Sequence, residues 1–233
     1  MIVAIVLSGG TGSRAGGEIP KQYIEVSGKP VILYCLETLH KSEHIDKIQI
    51  VAEADWQDRI KGWLEDFGLS DKLLGFSLPG KSRQGSIYNA LQDICDLAED
   101  EDYVFVCDAA RPFLSEEMIE KCVEEMNGYD GVIPVLPMKD TVYLSKDGKS
   151  ISSLLNRSEI FAGQAPETFL YGKYCRANKK LFDAERLEEI NGSTEPAVIA
   201  GMKMHMIPGD ERNFKITTRA DLERFNEIVK PDR

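Results

Sequence analysis

The stretch Ile2-Val3-Ala4-Ile5-Val6-Leu7-Ser8-Gly9-Gly10-Thr11-Gly12-Ser13-Arg14-Ala15-Gly16-Gly17-Glu18-Ile19-Pro20-Lys21 decides how this chain is read. It opens as an apolar run of strand length and then breaks into glycine. An apolar run without polar alternation suits a strand buried on both faces, as in a parallel sheet. No basic region precedes the run and glycines end it, which predicts a first strand of a cytoplasmic protein rather than a signal peptide. Glycines let the backbone approach a ligand and turn successive N–H groups into a concavity suited to anionic oxygens. Loops at the carboxyl ends of strands are where open α/β sheets bind ligands. Arg14 and Lys21 add two full positive charges to this loop.

The loop admits three ligand classes. A P-loop needs Gly-Lys followed by Ser or Thr, which is missing. Gly10, Gly12 and Ala15 fit a G-x-G-x-x-A dinucleotide fingerprint, but that pattern wants a helix starting inside the loop. Here Gly16, Gly17 and Pro20 follow, so the next helix is expected only from Pro30. A nucleoside triphosphate gripped by Arg14 and Lys21 accounts for more of these residues. The alternative without chemistry is a plain structural turn.

Outward from the loop, Val- and Ile-rich runs alternate with helix-period segments, the βαβ pattern of a mainly parallel sheet with helices on both faces. Strands are predicted at Ile2–Leu7, Lys47–Ala52, Leu73–Leu78, Tyr103–Cys107 and Gly131–Val135. Helices are predicted at Pro30–His40, Trp56–Phe67, Ser82–Leu97, Glu116–Met126, Tyr171–Phe182 and Thr218–Val229. Ser115 before Glu116 and Glu117 is a helix start with acids at the positive end of the dipole. At 233 residues, one domain spanning 1–233 is expected.

The stretch Lys139–Gly163 breaks the alternation: strand, a turn at Ser145–Lys149 carrying Asp147-Gly148, strand, then Arg157 and Ser158. Asp-Gly between β-prone runs signals a hairpin. Residues 138–163 are therefore expected to form a protruding β-arm, with a second subunit as its partner.

Composition narrows the partners. A formal net charge of −11 disfavours nucleic acid, which needs a basic face, but permits a small phosphorylated ligand where a few cations gather. No apolar run approaches the roughly 20 residues that span a bilayer, so no membrane partner is expected. The five cysteines (Cys35, Cys95, Cys107, Cys122, Cys175) are odd in number and lack C-x-x-C spacing, as expected of reduced thiols in the cytoplasm.

Five motifs occur in order: L-S-G-G-T-G-S-R at 7–14, P-K-Q-Y at 20–23, D-A-A-R-P at 108–112, K-D-T at 139–141 and N-F-K-I-T-T at 213–218. Together they resemble the cytidylyltransferases that act on 2-C-methyl-D-erythritol 4-phosphate or D-ribitol 5-phosphate, from the first strand to the last helix. The resemblance implies a Rossmann-like nucleotidyltransferase sheet. It also implies a reaction in which the acceptor's phosphate oxygen attacks the α-phosphorus of CTP and pyrophosphate leaves. A phosphate monoester is largely dianionic near neutral pH, so the protein must align two polyanions and neutralise charge rather than supply a nucleophile. Magnesium is the expected divalent cation.

By resemblance, Arg14, Lys21 and Lys215 are the catalytic cations on the triphosphate. Ser8, Gly9, Gly10, Thr11, Gly12, Gly80, Ser86 and Asp108 bind CTP, and Asp108 is also the metal ligand. The turn at Gly80–Arg83 with Ser86 corresponds to the family's cytosine and ribose site, though Lys81 stands where an acidic residue is frequent. Arg111, Thr141, Arg157 and Thr194 are expected at the acceptor, Thr141 and Arg157 reaching it in the neighbouring subunit. Structural alternatives remain: a solvated strand lysine for Lys215, a buried ion pair for Asp108 and Arg111, a helix cap for Ser82. Glu195-Pro196 and Ala165 depart from the family pattern on the acceptor side. L-S-G-G-T-G-S-R, G-Q-x-P and K-I-T-T lean toward ribitol-type enzymes, while the family's wider use in isoprenoid synthesis leans the other way.

A non-catalytic nucleotide sensor on the same fold is the rival class, since fold alone does not establish turnover. An NAD-dependent dehydrogenase is a third, which failure to bind NAD would remove. His40 and His44 straddle a helix end without a third metal ligand. Trp56 and Trp63 are expected to pack, and the methionines of Met202–Met206 to face the core.

Overall fold

A computed structural model describes residues 1–10 and 19–230. The elements run β1 (Ile2–Leu7), β2 (Glu25–Val26), β3 (Lys29–Pro30), α1 (Val31–Lys41), β4 (Lys47–Val51), α2 (Ala54–Asp66), β5 (Leu73–Ser77), α3 (Arg83–Asp93), β6 (Tyr103–Asp108), α4 (Glu116–Glu124), β7 (Gly131–Pro137), β8 (Val142–Leu144), β9 (Ser153–Leu155), β10 (Phe161–Gly163), β11 (Glu167–Leu170), α5 (Tyr171–Asp183), α6 (Glu195–Ile199), β12 (Met204–Pro208) and α7 (Arg219–Val229). The main sheet has the order β10-β7-β11-β6-β1-β4-β5, with β12 also paired to β7. β6, β1, β4 and β5 pair in parallel.

β1 sits at the centre because both of its faces are apolar. Ile2, Ala4 and Val6 enter one core, with Ile32, Leu33 and Leu36 of α1 and Ile60 and Leu64 of α2. Val3 and Ile5 enter the other, with Ile87 and Leu91 of α3 and Tyr174 of α5. The period of 2 is present, but both phases are hydrophobic, as expected of a strand covered on both faces. β6 behaves the same way, Phe105 and Cys107 on one side and Val104 and Val106 on the other.

The predicted strands and helices stand, with ends shifted by a few residues. α3 stops at Asp93, and the chain continues to Leu97 in turns such as Leu97 N–H to Ile94 C=O at 3.0 Å. The Ser82 and Ser115 hydroxyls cap α3 and α4, accepting from Gly85 and Met118. β11 was not predicted. It lies antiparallel between β6 and β7, making the sheet mixed.

β8 and β9 form the antiparallel hairpin expected from Asp147-Gly148, with Val142 opposite Leu155. Its turn is longer than Ser145–Lys149, because the Asp147 carboxylate gathers the N–H groups of Lys149 (2.8 Å) and Ser150 (2.7 Å). The methionine expectation fails in part. Met204 packs against the core but Met206 is exposed, since among the described residues β12 pairs only with β7 at the sheet's end. Trp56 and Trp63 pack as expected, Trp56 stacked on Tyr23 with centroids 4.2 Å apart.

Candidate active site

Parallel strands deliver their carboxyl ends to one edge of the sheet, and a cavity of about 500 Å³ opens there. Ser8, Gly9 and Gly10 follow β1, Glu53 follows β4, Pro79 to Arg83 follow β5, and Asp108 closes β6. Lys21 and Lys215 come from either end of the chain to the same cavity. Among the described residues, four cationic side chains (Lys21, Lys81, Arg83, Lys215) line it against two carboxylates (Glu53, Asp108), in a chain whose net charge is −11. The cavity is thus a locally cationic place on an acidic protein, suited to a polyanion.

Two glycines let the loops meet. A Cβ on Gly9 would stand 2.6 Å from the Pro79 ring, and one on Gly80 would stand 2.4 Å from the Gly85 carbonyl carbon. The Gly80 N–H donates to the Ser86 hydroxyl at 3.0 Å, and that hydroxyl donates to the Ser82 carbonyl at 3.0 Å. Ser86 therefore fixes the turn that walls the cavity. The neighbour at Gly80 is backbone and cannot rotate away. Gly80→Ala is accordingly expected to cost about 1–3 kcal/mol of stability, as overpacking does, and to weaken nucleotide binding. Chemical denaturation and CTP titration check this; unchanged values in both would remove Gly80 from the wall.

Lys215 arrives by packing on both sides. Phe214 meets Phe113 at 5.6 Å, and Ile216 is buried with its N–H on the Ala110 carbonyl at 2.8 Å. Lys215 is not in a strand, so the solvated strand lysine is set aside; its Nζ lies 3.1 Å from Asp108.

Asp108 is the electrostatic centre. Its Oδ1 faces Arg83 at 3.3 Å, and its Oδ2 faces Lys215 at 3.1 Å and Arg111 at 3.3 Å. Burial alone would raise its pKa, but Arg83, then Lys215 and Arg111, hold the carboxyl well below the usual carboxylate range. Arg83 also lies 3.7 Å from Glu167, whose buried carboxylate accepts from the Ser193 hydroxyl. Burial pushes the Glu167 carboxyl up against the pull of Arg83.

Magnesium was expected on Asp108, and the donor set does not fit a protein-held ion. Both carboxylate oxygens already face cations, and among the described residues no three His, Cys, Asp or Glu side chains converge.

Of the expected site residues, Ser8, Gly9, Gly10, Lys21, Gly80, Ser86, Asp108 and Lys215 line one cavity. Thr11, Gly12 and Arg14 fall outside the described residues. The Ser8 hydroxyl is engaged by the Val51 carbonyl at 2.7 Å. Arg111 is not in the lining: its Nε faces Asp108 and its Nη1 donates to the Asn213 carbonyl at 2.6 Å, the ion pair held open above as the alternative. Thr141 and Arg157 line a second cavity of about 470 Å³ on the arm, with Leu154, Leu155 and Asn156. Thr194 precedes α6 and belongs to neither lining.

The sequence placed Arg83 only within the nucleoside turn Gly80–Arg83, without its charge partner, and did not single out Gln22 as a lining residue. Arg83 had a signal: an arginine at the first position of α3, with no acid in that turn, opposes the helix dipole and needs an anionic partner.

Comparison with known proteins places this geometry in context. The sequence matches the family described as IspD, 2-C-methyl-D-erythritol 4-phosphate cytidylyltransferase, over residues 2–231. It is 34% identical over 233 residues to the 2-C-methyl-D-erythritol 4-phosphate cytidylyltransferase of Clostridium perfringens, covering 98% of this chain and 99% of that one. It is 29% identical over 238 residues to the ribitol-5-phosphate cytidylyltransferase of Lacticaseibacillus paracasei, covering 99% and 98%. Among solved structures, 4-diphosphocytidyl-2C-methyl-D-erythritol synthase from Anaerococcus prevotii shares the fold at a TM-score of 0.83 and 24% identity, covering 99% of this chain and 96% of that one. The Francisella tularensis 2-C-methyl-D-erythritol 4-phosphate cytidylyltransferase aligns at 0.81 with 25% identity, covering 98% and 99%.

Proposed function

The chain belongs to the 2-C-methyl-D-erythritol 4-phosphate cytidylyltransferase family, and from that premise we propose that the strand-end cavity is where it binds CTP. The protein is a CTP-dependent cytidylyltransferase acting on a polyol phosphate. One observation carries the assignment of the site: Lys21 and Lys215, remote in sequence, share a cavity with the β1 glycines and the Asp108 carboxylate.

The chemistry follows from charge. An oxygen of the acceptor phosphate forms a bond to the α-phosphorus, the bond to the bridging oxygen breaks, and its electron pair leaves with pyrophosphate. Negative charge grows on the phosphoryl oxygens and the leaving group, where fixed cations stabilise it most. Lys21 and Lys215 take that role, and Arg14 joins them by its position in the glycine motif. The Gly80 turn with Ser86 receives the nucleoside. Asp108 acts as the counter-ion that keeps Arg83 and Lys215 oriented before CTP arrives. A magnesium ion brought with CTP as part of the substrate would supply further charge neutralisation on its phosphates.

The acceptor side is proposed to comprise Arg111 and Thr194, with Thr141 and Arg157 supplied by the arm of a second subunit. The arm, residues 138–163 of a single-domain chain, exposes Tyr143, Leu144, Ile151 and Leu154, apolar side chains that support a homodimer. The unpaired thiols support a cytoplasmic setting. Among the described residues no helix is long and apolar enough to cross a membrane.

Pyrophosphate release is the test, with CTP and either 2-C-methyl-D-erythritol 4-phosphate or D-ribitol 5-phosphate. Turnover with at least one is expected, and the ratio of kcat/KM values identifies the acceptor. Tight CTP binding without turnover on either would overturn the proposed substrates.

A further inference from the structure

Gln22 follows the proposed catalytic lysine directly and is 3% exposed, yet its side chain is polar and borders the cavity. Its single amide nitrogen donates to two carbonyls of the β1 loop, Ser8 at 2.5 Å and Gly10 at 2.8 Å. A buried amide placed between two loop carbonyls is a specific fastening, because a hydrocarbon there would take a donor away from both acceptors. The next residue repeats the connection: the Tyr23 hydroxyl lies 3.0 Å from the Ser8 carbonyl and 3.1 Å from the Ser8 hydroxyl. Tyr23 is braced in turn by its stack on Trp56.

The consequence reaches the loop's donors. In a trans peptide the Gly9 N–H is opposite the Ser8 C=O, so fixing one direction fixes the other. Gln22 also belongs to the single 3-10 turn Lys21–Tyr23, closed by Tyr23 N–H on the Pro20 carbonyl at 2.8 Å. One side chain therefore ties the backbone that carries Lys21 to the backbone of the glycine loop.

We propose that Gln22 is a positioning residue for cytidylyl transfer: its amide sets the register between the Lys21 turn and the Ser8–Gly10 loop, so that cation and backbone donors meet the same polyphosphate. This rests on the reading of the strand-end cavity as the CTP site. Gln22 acts through Lys21 and the loop and takes no part in bond making.

The test uses the full chain with Gln22→Met, which keeps length and volume and removes the donor. The expected result is a fall in kcat/KM for CTP of roughly 100-fold, the scale set by loss of one preorganised donor group. KM for the polyol phosphate at saturating CTP stays within about twofold of wild type, because uniform binding on that side is untouched. In a Lys21→Ala background the same substitution costs little more, since both changes remove one unit of function. Gln22→Asn keeps the amide but is one methylene short of bridging both carbonyls; it shows the same split at smaller size and serves if the Met variant does not fold. Wild-type kcat/KM in either variant overturns the proposal. So does an equal loss on both substrates that adds fully to Lys21→Ala, which would make Gln22 a general packing residue. Wild-type protein that binds no CTP in the parallel titration overturns the cavity reading itself, and is distinguished from those outcomes by needing no variant.

Discussion

Lys21→Ala is expected to lower kcat by roughly 10³-fold, the loss typical of removing a principal transition-state donor in a water-poor site, while the fold survives. The argument for survival is local. The turn Lys21–Tyr23 is anchored by its other two residues, Gln22 on the Ser8 and Gly10 carbonyls and Tyr23 on Ser8 and Trp56. Lys21 itself is only half-buried, so truncating it opens no core cavity. The argument for the size of the loss is electrostatic. Charge on the reacting phosphoryl group is greatest in the transition state, and a cation held in place by the fold needs no reorganisation to meet it. Steady-state kinetics on pyrophosphate release, with thermal melting as the control for folding, measure both halves. Turnover at the wild-type rate would discard the assignment of Lys21 to the reaction centre.

The glycine loop, β1 and the alternation of strands and helices were legible because their causes are local. A strand covered on both faces must be apolar at every position, and a close backbone approach must be glycine, as the 2.6 Å gap from a Gly9 Cβ to Pro79 shows. What stayed hidden depends on partners far along the chain. β11 has only four residues, and its place between β6 and β7 comes from pairing rather than from any pattern within Glu167–Leu170. Lys215 alternates with Phe214 and Ile216 and so resembles a strand residue. Its true position is set by Phe113 and the Ala110 carbonyl, more than a hundred positions earlier. The same limit applies to Asp108. A strand-end carboxylate suggested a metal ligand, but the three cations that occupy its oxygens come from α3, the turn after β6 and the carboxyl-terminal segment. Motif order, by contrast, carried the activity well, because transfer between two phosphates needs converging cations and no side-chain nucleophile whose absence could mislead.

Mixing two inactive variants is expected to restore activity. Within one chain, Lys21 lines the strand-end cavity, whereas Arg157 lies just after β9 on the arm, its guanidinium on the Lys139 carbonyl at 2.8 Å, and lines the separate cavity there with Thr141. If an arm completes its neighbour's site, a homodimer of Lys21→Ala lacks the lysine at both sites, and a homodimer of Arg157→Ala lacks the arginine at both. In a two-fold dimer each site takes its lysine from one chain and its arginine from the other. A heterodimer of the two variants therefore contains one site with both defects and one with neither. Its turnover should be about half that of the wild-type dimer, because one of two equivalent sites is whole. The comparison is made on heterodimers isolated with two different affinity tags, against each variant alone and wild type. Rescue to that level cannot arise from sites built within single chains, since every such site would carry a defect. Heterodimers of verified composition that stay as inactive as the parents would place the whole site within one chain, and the exposed apolar side chains of the arm would then need another role.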